Sequence, residues 1–178
     1  MRPALLFALA VLVAVPGCRD APEPEPTPTV DARPASIPFR IDGTLSFLRD
    51  GDTLRTIDIE VADTDSSRAR GLMEREDIPP DTGMLFVFPE AQQQAFYMAN
   101  TPRSLDIQFY SADSTLLNVA ENTAPYTLDN LFSEGDAQFV VEVPAGYTRR
   151  LGLVPGDRIT WSLSRNAGDF EAGQSGTP

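Results

Sequence analysis

The chain contains no histidine and no lysine, and its single cysteine is Cys18. These absences exclude the usual tetrahedral zinc sites, which are built from His and Cys ligands. They also exclude Ser-His-Asp, Cys-His and Ser-Lys nucleophile systems, a P-loop lysine and a Schiff-base lysine. A disulfide within one chain is excluded as well. Any general acid or base therefore has to be an aspartate, a glutamate or a tyrosine.

Positive charge is scarce. All 14 basic residues are arginines, and they face 26 acidic residues, which gives a formal net charge of −12. Binding to a phosphate backbone requires a basic face. A nucleic-acid partner is therefore not expected.

The N-terminal residues 1–17 are typical of a signal peptide. The apolar run from Ala4 to Val15 is too short to span a bilayer, and it ends just before Gly17-Cys18, which resembles a bacterial lipobox. Cleavage before Cys18 would expose a thiol and an amine for acylation, and two or three acyl chains make a stable membrane anchor. Plain cleavage and release of a soluble exported protein is the alternative, with Pro16 as a departure from the usual lipobox.

Composition divides the rest of the chain into three parts. Residues 18–38 are rich in proline and acids and predict an extended tether. Residues 39–165 carry the periodic apolar patterns of one domain. Residues 166–178, rich in Gly, Ser and Ala, predict a frayed tail. The tether prolines are Pro22, Pro24, Pro26, Pro28, Pro34 and Pro38.

Alternating apolar residues predict a mostly β domain. Residues 39–49 and 53–62 flank Asp50-Gly51-Asp52, a hairpin signal, and the second strand is expected to leave Asp58 and Glu60 on a wet face. The near-continuous apolar run 83–89 predicts a strand buried on both faces. Further strands are expected at 95–100, 105–111, 115–122, 137–143 and 157–164. Short connections favour a compact antiparallel β-sandwich or small barrel with two short helices.

The two helices are expected after Thr64 and after Gly146. Asp63 or Thr64 can cap the first, and Ala69, Leu72 and Met73 fall at spacings that place them on one buried stripe.

Three sequence blocks carry a resemblance to a known family. They are RARGLMEREDIPPDTGMLFVF, FYMANTPRSLDIQFY and LGLVPGDRI. They resemble the domain of unknown function 192 family over roughly residues 56–162. The resemblance implies a compact, mostly β single domain, and family members are often exported or membrane-attached. No activity is established for the family as a whole, so the resemblance implies none in particular. Tyr97, Ala99 and Ser104 depart from the family pattern, which usually has Trp, Lys and Pro there.

Five residues around the turns of this region are candidates for binding a ligand. One interpretation is a cleft in which Arg70 or Arg75 receives a polar or anionic ligand. The other is structural: Arg70 and Asp106 would tie the first helix to a strand, and Asn100 would brace a turn. The candidates are Arg70, Arg75, Tyr97, Asn100 and Asp106.

Three alternative chemistries remain open. The thioethers of Met73, Met84 and Met98 could form a soft copper(I) site, although methionine also fills core gaps. Paired carboxylates could run glycoside hydrolysis, with Asp77, Asp81 and Asp106 as candidates. Oxygen ligands at hairpin ends could hold calcium, with Asp50, Asp52, Asp63 and Asp65 as candidates.

The sequence therefore predicts an exported, lipid-anchored domain that is a non-catalytic binding or envelope-interaction module. No catalytic residue and no cofactor are assigned. The expected partners are the membrane through Cys18 and a small polar or anionic ligand or an envelope protein. A carboxylate-dependent hydrolase is the second hypothesis, and a methionine copper(I) binder is the third.

Overall fold

A computed structural model describes residues 37–164. The predicted signal peptide, the lipid attachment at Cys18, nearly all of the tether and the tail lie outside these residues. In the part described, no helix has the length and apolarity needed to cross a membrane.

Seven strands and two short helices form the domain. The strands lie in one sheet in the order β5-β4-β6-β3-β2-β1-β7. In chain order the elements are β1 (Gly43–Arg49), β2 (Asp52–Ala62), α1 (Asp65–Arg70), β3 (Thr82–Phe96), β4 (Leu105–Tyr110), β5 (Leu116–Ala120), β6 (Leu131–Pro144), α2 (Tyr147–Leu151) and β7 (Arg158–Leu163).

The mostly β class is confirmed, but the sheet is mixed. β2 and β3 pair in parallel, and the other neighbouring strands pair antiparallel. The parallel pair arises because the chain crosses through α1 before β3, and parallel strands need such a crossover. The edge strands approach at one corner, where Thr115 pairs with Arg158, and the sheet does not close into a barrel. The sandwich is not confirmed.

The β1–β2 hairpin forms where Asp50-Gly51 predicts it. Arg49 pairs with Asp52, and the two turn residues have φ of 51° and 90°. Both positive φ values suit an Asp-Gly turn, whose twist matches that of the flanking strands. Local chemistry therefore sets this register.

β3 is one long strand where two were expected. It continues through Pro89, at a place where pairing with β6 shifts register between Val87 and Gln92. Proline has no N–H to donate, so it is accommodated at the irregularity. β6 starts at Leu131, six residues before the strand expected at 137–143, and its added part pairs with the far end of β3.

Two apolar clusters cover the two faces of the sheet. Along β6, Phe139, Val141 and Val143 pack in the first cluster, whereas Val140 packs in the second. β3 alternates in the same way, with Leu85 in the first cluster and its neighbours in the second. The prediction of a strand buried on both faces is confirmed here.

α1 is shorter than expected and buries no residue. Thr64 caps it, forming a reciprocal capping box with Ser67, and Gly71 ends it. Ala69 is exposed, so the predicted buried stripe is wrong. Leu72 does reach the core, but from the loop after the helix, because the chain leaves helical geometry at Gly71.

Candidate functional site

A single row across the sheet contains two buried glutamates. Glu60 of β2 and Glu142 of β6 are both register partners of Met84 in β3, and Ile107 of β4 lies beyond Glu142. Glu60 is 7% exposed and Glu142 is 5% exposed. The expected wet face at Glu60 is therefore wrong, because the loop after α1 covers this side of the sheet.

Arg75 pairs with the first of these glutamates. Its two terminal nitrogens donate to Glu60 Oε2 at 2.8 Å and to Oε1 at 2.9 Å. Its guanidinium also lies 5.6 Å from the ring centroid of Phe39. A bidentate Arg–carboxylate pair is the strongest arrangement available for a buried arginine. Arg75 is therefore committed to Glu60.

Glu142 has no such cation. The backbone N–H of Leu72 donates to its carboxyl group. Within residues 37–164, Glu142 Oε2 has no hydrogen-bonding partner. Burial raises the pKa of Glu142 to about 8, against the opposing effects of the Leu72 hydrogen bond and the Arg75 charge. Near neutral pH this carboxyl group is mostly protonated.

Glu142 lies in the wall of a cavity of about 250 Å³. Gly71 lines the same cavity, and a Cβ at this position would lie 3.5 Å from Glu142 Oε2 and 3.2 Å from Phe86 Cζ. The missing side chain of Gly71 therefore leaves space directly beside the unpaired oxygen. Much of the remaining wall is aromatic or apolar: Leu72, Met73, Phe86, Phe88, Phe96 and Tyr97.

Two arginines from α1 also line the cavity. Arg68 is held in place: it donates to the Val87 carbonyl at 2.8 Å and to Asp65 at 2.5 Å, and lies 5.5 Å from the Phe88 ring centroid. Arg70 is 55% exposed, and its one ion pair, to Glu74, is 3.4 Å long. Exposed pairs of this kind contribute little free energy. Arg70 is therefore free to turn toward a ligand.

The structure brings together only part of the predicted site. Arg70 and Tyr97 line the cavity, and Arg75 acts on Glu142 through its charge. Asn100 and Asp106 are not among the lining residues. Asn100 is exposed at a turn with φ of 54°, where its carbonyl accepts from the Glu74 N–H at 2.7 Å. This bond uses the backbone of Asn100, so the idea that its side chain braces a turn stays a prediction.

The proposed tie between Arg70 and Asp106 is wrong. Asp106 is fully buried and accepts from three backbone N–H groups: Asn122 at 2.9 Å, Gly146 at 3.1 Å and Thr148 at 2.9 Å. Arg70 lies at the surface with Glu74. Backbone donors satisfy the buried carboxylate, so no arginine is needed to balance its hydrogen bonds.

The fold does not bring together the residues of the alternative copper, hydrolase and calcium sites. Met84 and Met98 are buried in the second cluster, whereas Met73 is half-buried in the cavity wall. Asp77 is exposed, and Asp81 pairs with Arg55 and accepts from the Tyr147 hydroxyl. Among residues 37–164, no group of three or more Asp, Glu, His or Cys side chains is placed to hold a metal ion.

Sequence reasoning missed Glu142. The signal was present in the sequence, because an acid interrupts the apolar run FVVEV. In the structure the residues on both sides of this acid are buried. A charged residue at such a position is rarely fully buried without a partner. The sequence does not reveal that its face is covered, since the covering loop lies about seventy residues earlier in the chain.

Comparison with known proteins identifies a family through one family model. The model of domain of unknown function 192, described as an uncharacterized ACR, matches residues 46–161. The chain is similar to the crystal structure of a candidate transcription regulator from Sinorhizobium meliloti 1021, with 32% identity, a TM-score of 0.65 and coverage of 71% of this chain and 97% of that one. It is also similar to a protein of unknown function from Novosphingobium aromaticivorans DSM 12444, with 31% identity, a TM-score of 0.65 and coverage of 74% and 94%. No curated protein matches the chain.

Proposed function

Because this chain belongs to the domain of unknown function 192 family, which has a common fold but no assigned activity, we propose its function from the cavity over Glu142. The domain is a non-catalytic binding module that takes one small polar ligand. We further propose that the domain is exported and is held at the membrane through a lipid on Cys18.

One observation supports binding most directly: the Oε2 atom of Glu142 is buried and lacks a partner within residues 37–164, and Glu142 is among the residues that line the cavity. A buried polar atom left without a hydrogen bond costs about 1–3 kcal/mol. A ligand that bonds this atom recovers that free energy. The cavity volume of about 250 Å³ suits a small molecule rather than a segment of an envelope protein.

Two predicted residues would assist at the mouth of the cavity. Tyr97 is 47% exposed, and offers an aromatic face together with a hydroxyl group. Arg70 would receive an anionic group if the ligand carries one. The walls formed by Phe86 and Phe96 would contact the apolar part of the ligand.

The test is a thermal-shift screen of small polar metabolites against the full chain, since a bound ligand raises the unfolding temperature by mass action. Glu142→Gln is the site variant. Glu134→Gln is the matched control, because Glu134 lies on the same strand but is exposed. A compound that stabilises the wild type and the control but not Glu142→Gln supports the proposal. Equal stabilisation of all three proteins by every hit would place binding elsewhere and reject it.

A carboxylate-dependent hydrolase is the second candidate, and the pKa of Glu142 near 8 favours it, because a protonated acid at neutral pH can donate to a leaving group. Two-carboxylate hydrolysis needs a second acid about 5–9.5 Å away. Of the residues that line the cavity in the described part of the chain, Glu142 is the one acid. Turnover of glycosides or esters by the wild type, lost in Glu142→Gln, would establish catalysis instead of binding.

The membrane anchor has its own test. Replacing the acylated thiol should release the protein, because the acyl chains supply the membrane affinity. Cys18→Ser is expected to move the protein from the membrane fraction to the soluble exported fraction. Unchanged membrane retention would reject the anchor while leaving the binding proposal intact.

A copper(I) titration tests the third chemistry. Met84 and Met98 lie in the apolar cluster, where thioethers serve as packing. We expect that the wild type does not bind copper(I) stoichiometrically and that Met73→Leu behaves in the same way. A tight complex that is lost in this variant would assign the metal site.

A further inference from the structure

We propose that the cavity over Glu142 recognises a protonated amine or amidine group carried on a small apolar body. This inference rests on the binding function proposed above and specifies the chemical class of the ligand. Its basis is the pairing of charges around the cavity, the hydrogen-bonding capacity of the unpaired oxygen and the composition of the walls.

The charges near the cavity pair off and leave one acid over. Arg68 pairs with Asp65, and Arg70 pairs with Glu74. Arg75 pairs with Glu60 through both of its terminal nitrogens. Each of these three arginines thus has a carboxylate partner, although the Arg70–Glu74 pair is exposed and contributes little free energy.

The remaining ionisable group is Glu142, which is mostly protonated near neutral pH and has no ion pair within residues 37–164. An ionised carboxylate is costly to bury unless a cation accompanies it. The complementary partner of the ionised form of this acid is therefore a cation. An ionised carboxylate oxygen can only accept hydrogen bonds, so the cation must carry N–H groups.

Among the elements packed around Glu142 in residues 37–164, the loop after α1 supplies the one cation whose charge acts on its carboxyl group, Arg75. The two terminal nitrogens of Arg75 donate to Glu60, and its Nε is buried without a hydrogen-bonding partner, as Glu142 Oε2 is. The register neighbours of Glu142, Met84 on β3 and Ile107 on β4, are apolar. The other ionisable groups lining the cavity are Arg68 and Arg70 from α1, and Tyr97 beyond the end of β3.

The walls suit an ammonium group on an apolar body. Phe86 and Phe96 form an edge-to-face pair with centroids 5.0 Å apart. Aromatic faces attract cations, and the attraction grows when water is excluded. A bare metal ion fits less well, because it needs several oxygen or sulfur ligands and the cavity wall has one carboxylate. The net charge of −12 also draws cations toward the protein at long range.

The pH dependence of ligand affinity tests the proposal. An ammonium ligand binds the ionised form of Glu142, so binding below the pKa of about 8 must first release the proton. The affinity for an amine should therefore rise about 50-fold between pH 6 and pH 8. A ligand that accepts a hydrogen bond from protonated Glu142 would instead keep a constant affinity up to pH 7 and lose it above pH 8.

The experiment titrates the full chain with benzylamine and n-butylamine at pH 6, 7 and 8 by calorimetry. Benzyl alcohol, n-butanol, benzoate and butyrate are the matched neutral and anionic probes. We expect the amines to bind, to bind more tightly as the pH rises, and to lose at least 10-fold in affinity in Glu142→Gln. Glu134→Gln should behave as the wild type does.

Other outcomes separate this inference from the binding function. If benzoate or benzyl alcohol binds in a way that depends on Glu142 and the amines do not, the amine class is rejected while the binding module stands. If neither amine binds, the inference is likewise overturned. Should Glu142→Gln fail to fold, the pH profile of the wild type decides, and an affinity for amines that does not change with pH rejects the proposal.

Discussion

Glu60 and Glu142 lie in one row of the sheet, each directly beside Met84, yet only Glu60 is paired with Arg75. Arg75 therefore satisfies one of the two buried acids and not the other. Glu142, which lines the cavity, keeps a buried oxygen without a partner within residues 37–164. This difference between two similar positions identifies Glu142 as the candidate binding residue.

Replacing Glu142 should change how stability depends on pH. In the unfolded chain the carboxyl group ionises near its ordinary pKa of 4.5, whereas in the fold it ionises near 8. Unfolding between these values releases a proton, so the wild type loses stability as the pH rises through this window, and the loss is complete above pH 8. The free energy of unfolding of Glu142→Gln, relative to the wild type, should grow by about 1.4 kcal/mol per pH unit between pH 5 and pH 8.

Denaturant unfolding at pH 5, 6, 7 and 8 measures this difference. Glu134→Gln, on an exposed position of the same strand, should keep a constant offset from the wild type. A constant offset for Glu142→Gln as well would show that the acid titrates normally in the fold.

Removing one partner of the buried Arg75–Glu60 ion pair should lower the free energy of unfolding more than removing both partners does. Arg75→Met removes the bidentate partner of Glu60 and leaves only the longer ion pair with Arg40, at 4.0 Å, within residues 37–164. It should lower the free energy of unfolding by about 3–5 kcal/mol. The double variant Glu60→Leu with Arg75→Met should recover most of this loss. A double-mutant cycle by urea unfolding measures the coupling, and additive losses would contradict it.

The same arginine should hold down the pKa of Glu142, since its charge lowers that value. In Arg75→Met the pKa of Glu142 should move above 8. A carbon-13 NMR titration of the glutamate carboxyl groups follows this directly. An unchanged value would mean that Glu60 neutralises Arg75 completely.

Gly71→Ala should harm both stability and binding. Gly71 has φ of 50° and ψ of −138°, a conformation that side chains rarely adopt. A Cβ would also meet Phe86 at 3.2 Å and lie beside Glu142 Oε2. We expect a loss of about 1–3 kcal/mol together with at least 10-fold weaker binding of any ligand of the cavity.

Gly152→Ala is the control for this substitution. Gly152 has φ of 63°, and nothing lies within 4 Å of an added Cβ. It should cost about 1 kcal/mol through backbone strain and leave ligand affinity unchanged. If Gly71→Ala binds ligand as tightly as Gly152→Ala does, the cavity is not the binding site.

Asp106→Asn should destabilise the fold without affecting the cavity. Asp106 accepts three backbone N–H groups, and the amide of asparagine would place donors against at least one of them. We expect a loss of about 2–3 kcal/mol in thermal or urea unfolding. Asp77→Asn, at an exposed position, should change stability by less than about 0.5 kcal/mol. Equal losses for the two variants would show that the three backbone hydrogen bonds to Asp106 contribute no stability.

Local features of the chain could be predicted because neighbouring residues produce them. Asp50-Gly51 specifies its turn through backbone conformation, and Thr64 caps a helix by reaching a nearby N–H group. The apolar run before Pro89 indicates a strand buried on both faces. Arg70 and Tyr97 could be proposed as ligand-binding candidates because they flank this strand and its turn.

The error at Glu60 arose because burial depends on what covers a face. Alternation in β2 correctly separates Glu60 from Ile59 but says nothing about the loop that later buries Glu60. The proposed Arg70–Asp106 tie failed because buried carboxylates accept backbone N–H groups as readily as they accept arginine.

By itself, the sequence determined the chemical repertoire: without His or Lys, the acids are the groups left to ionise near neutral pH in residues 37–164. It also determined the mostly β class and carried the blocks that resemble the family. Only the tertiary structure decided which acid is unusual. The pKa of a carboxyl group follows its burial and its nearest charges, and both depend on residues far apart in the chain. Glu142 differs from Glu60 because Arg75 reached one of them and not the other.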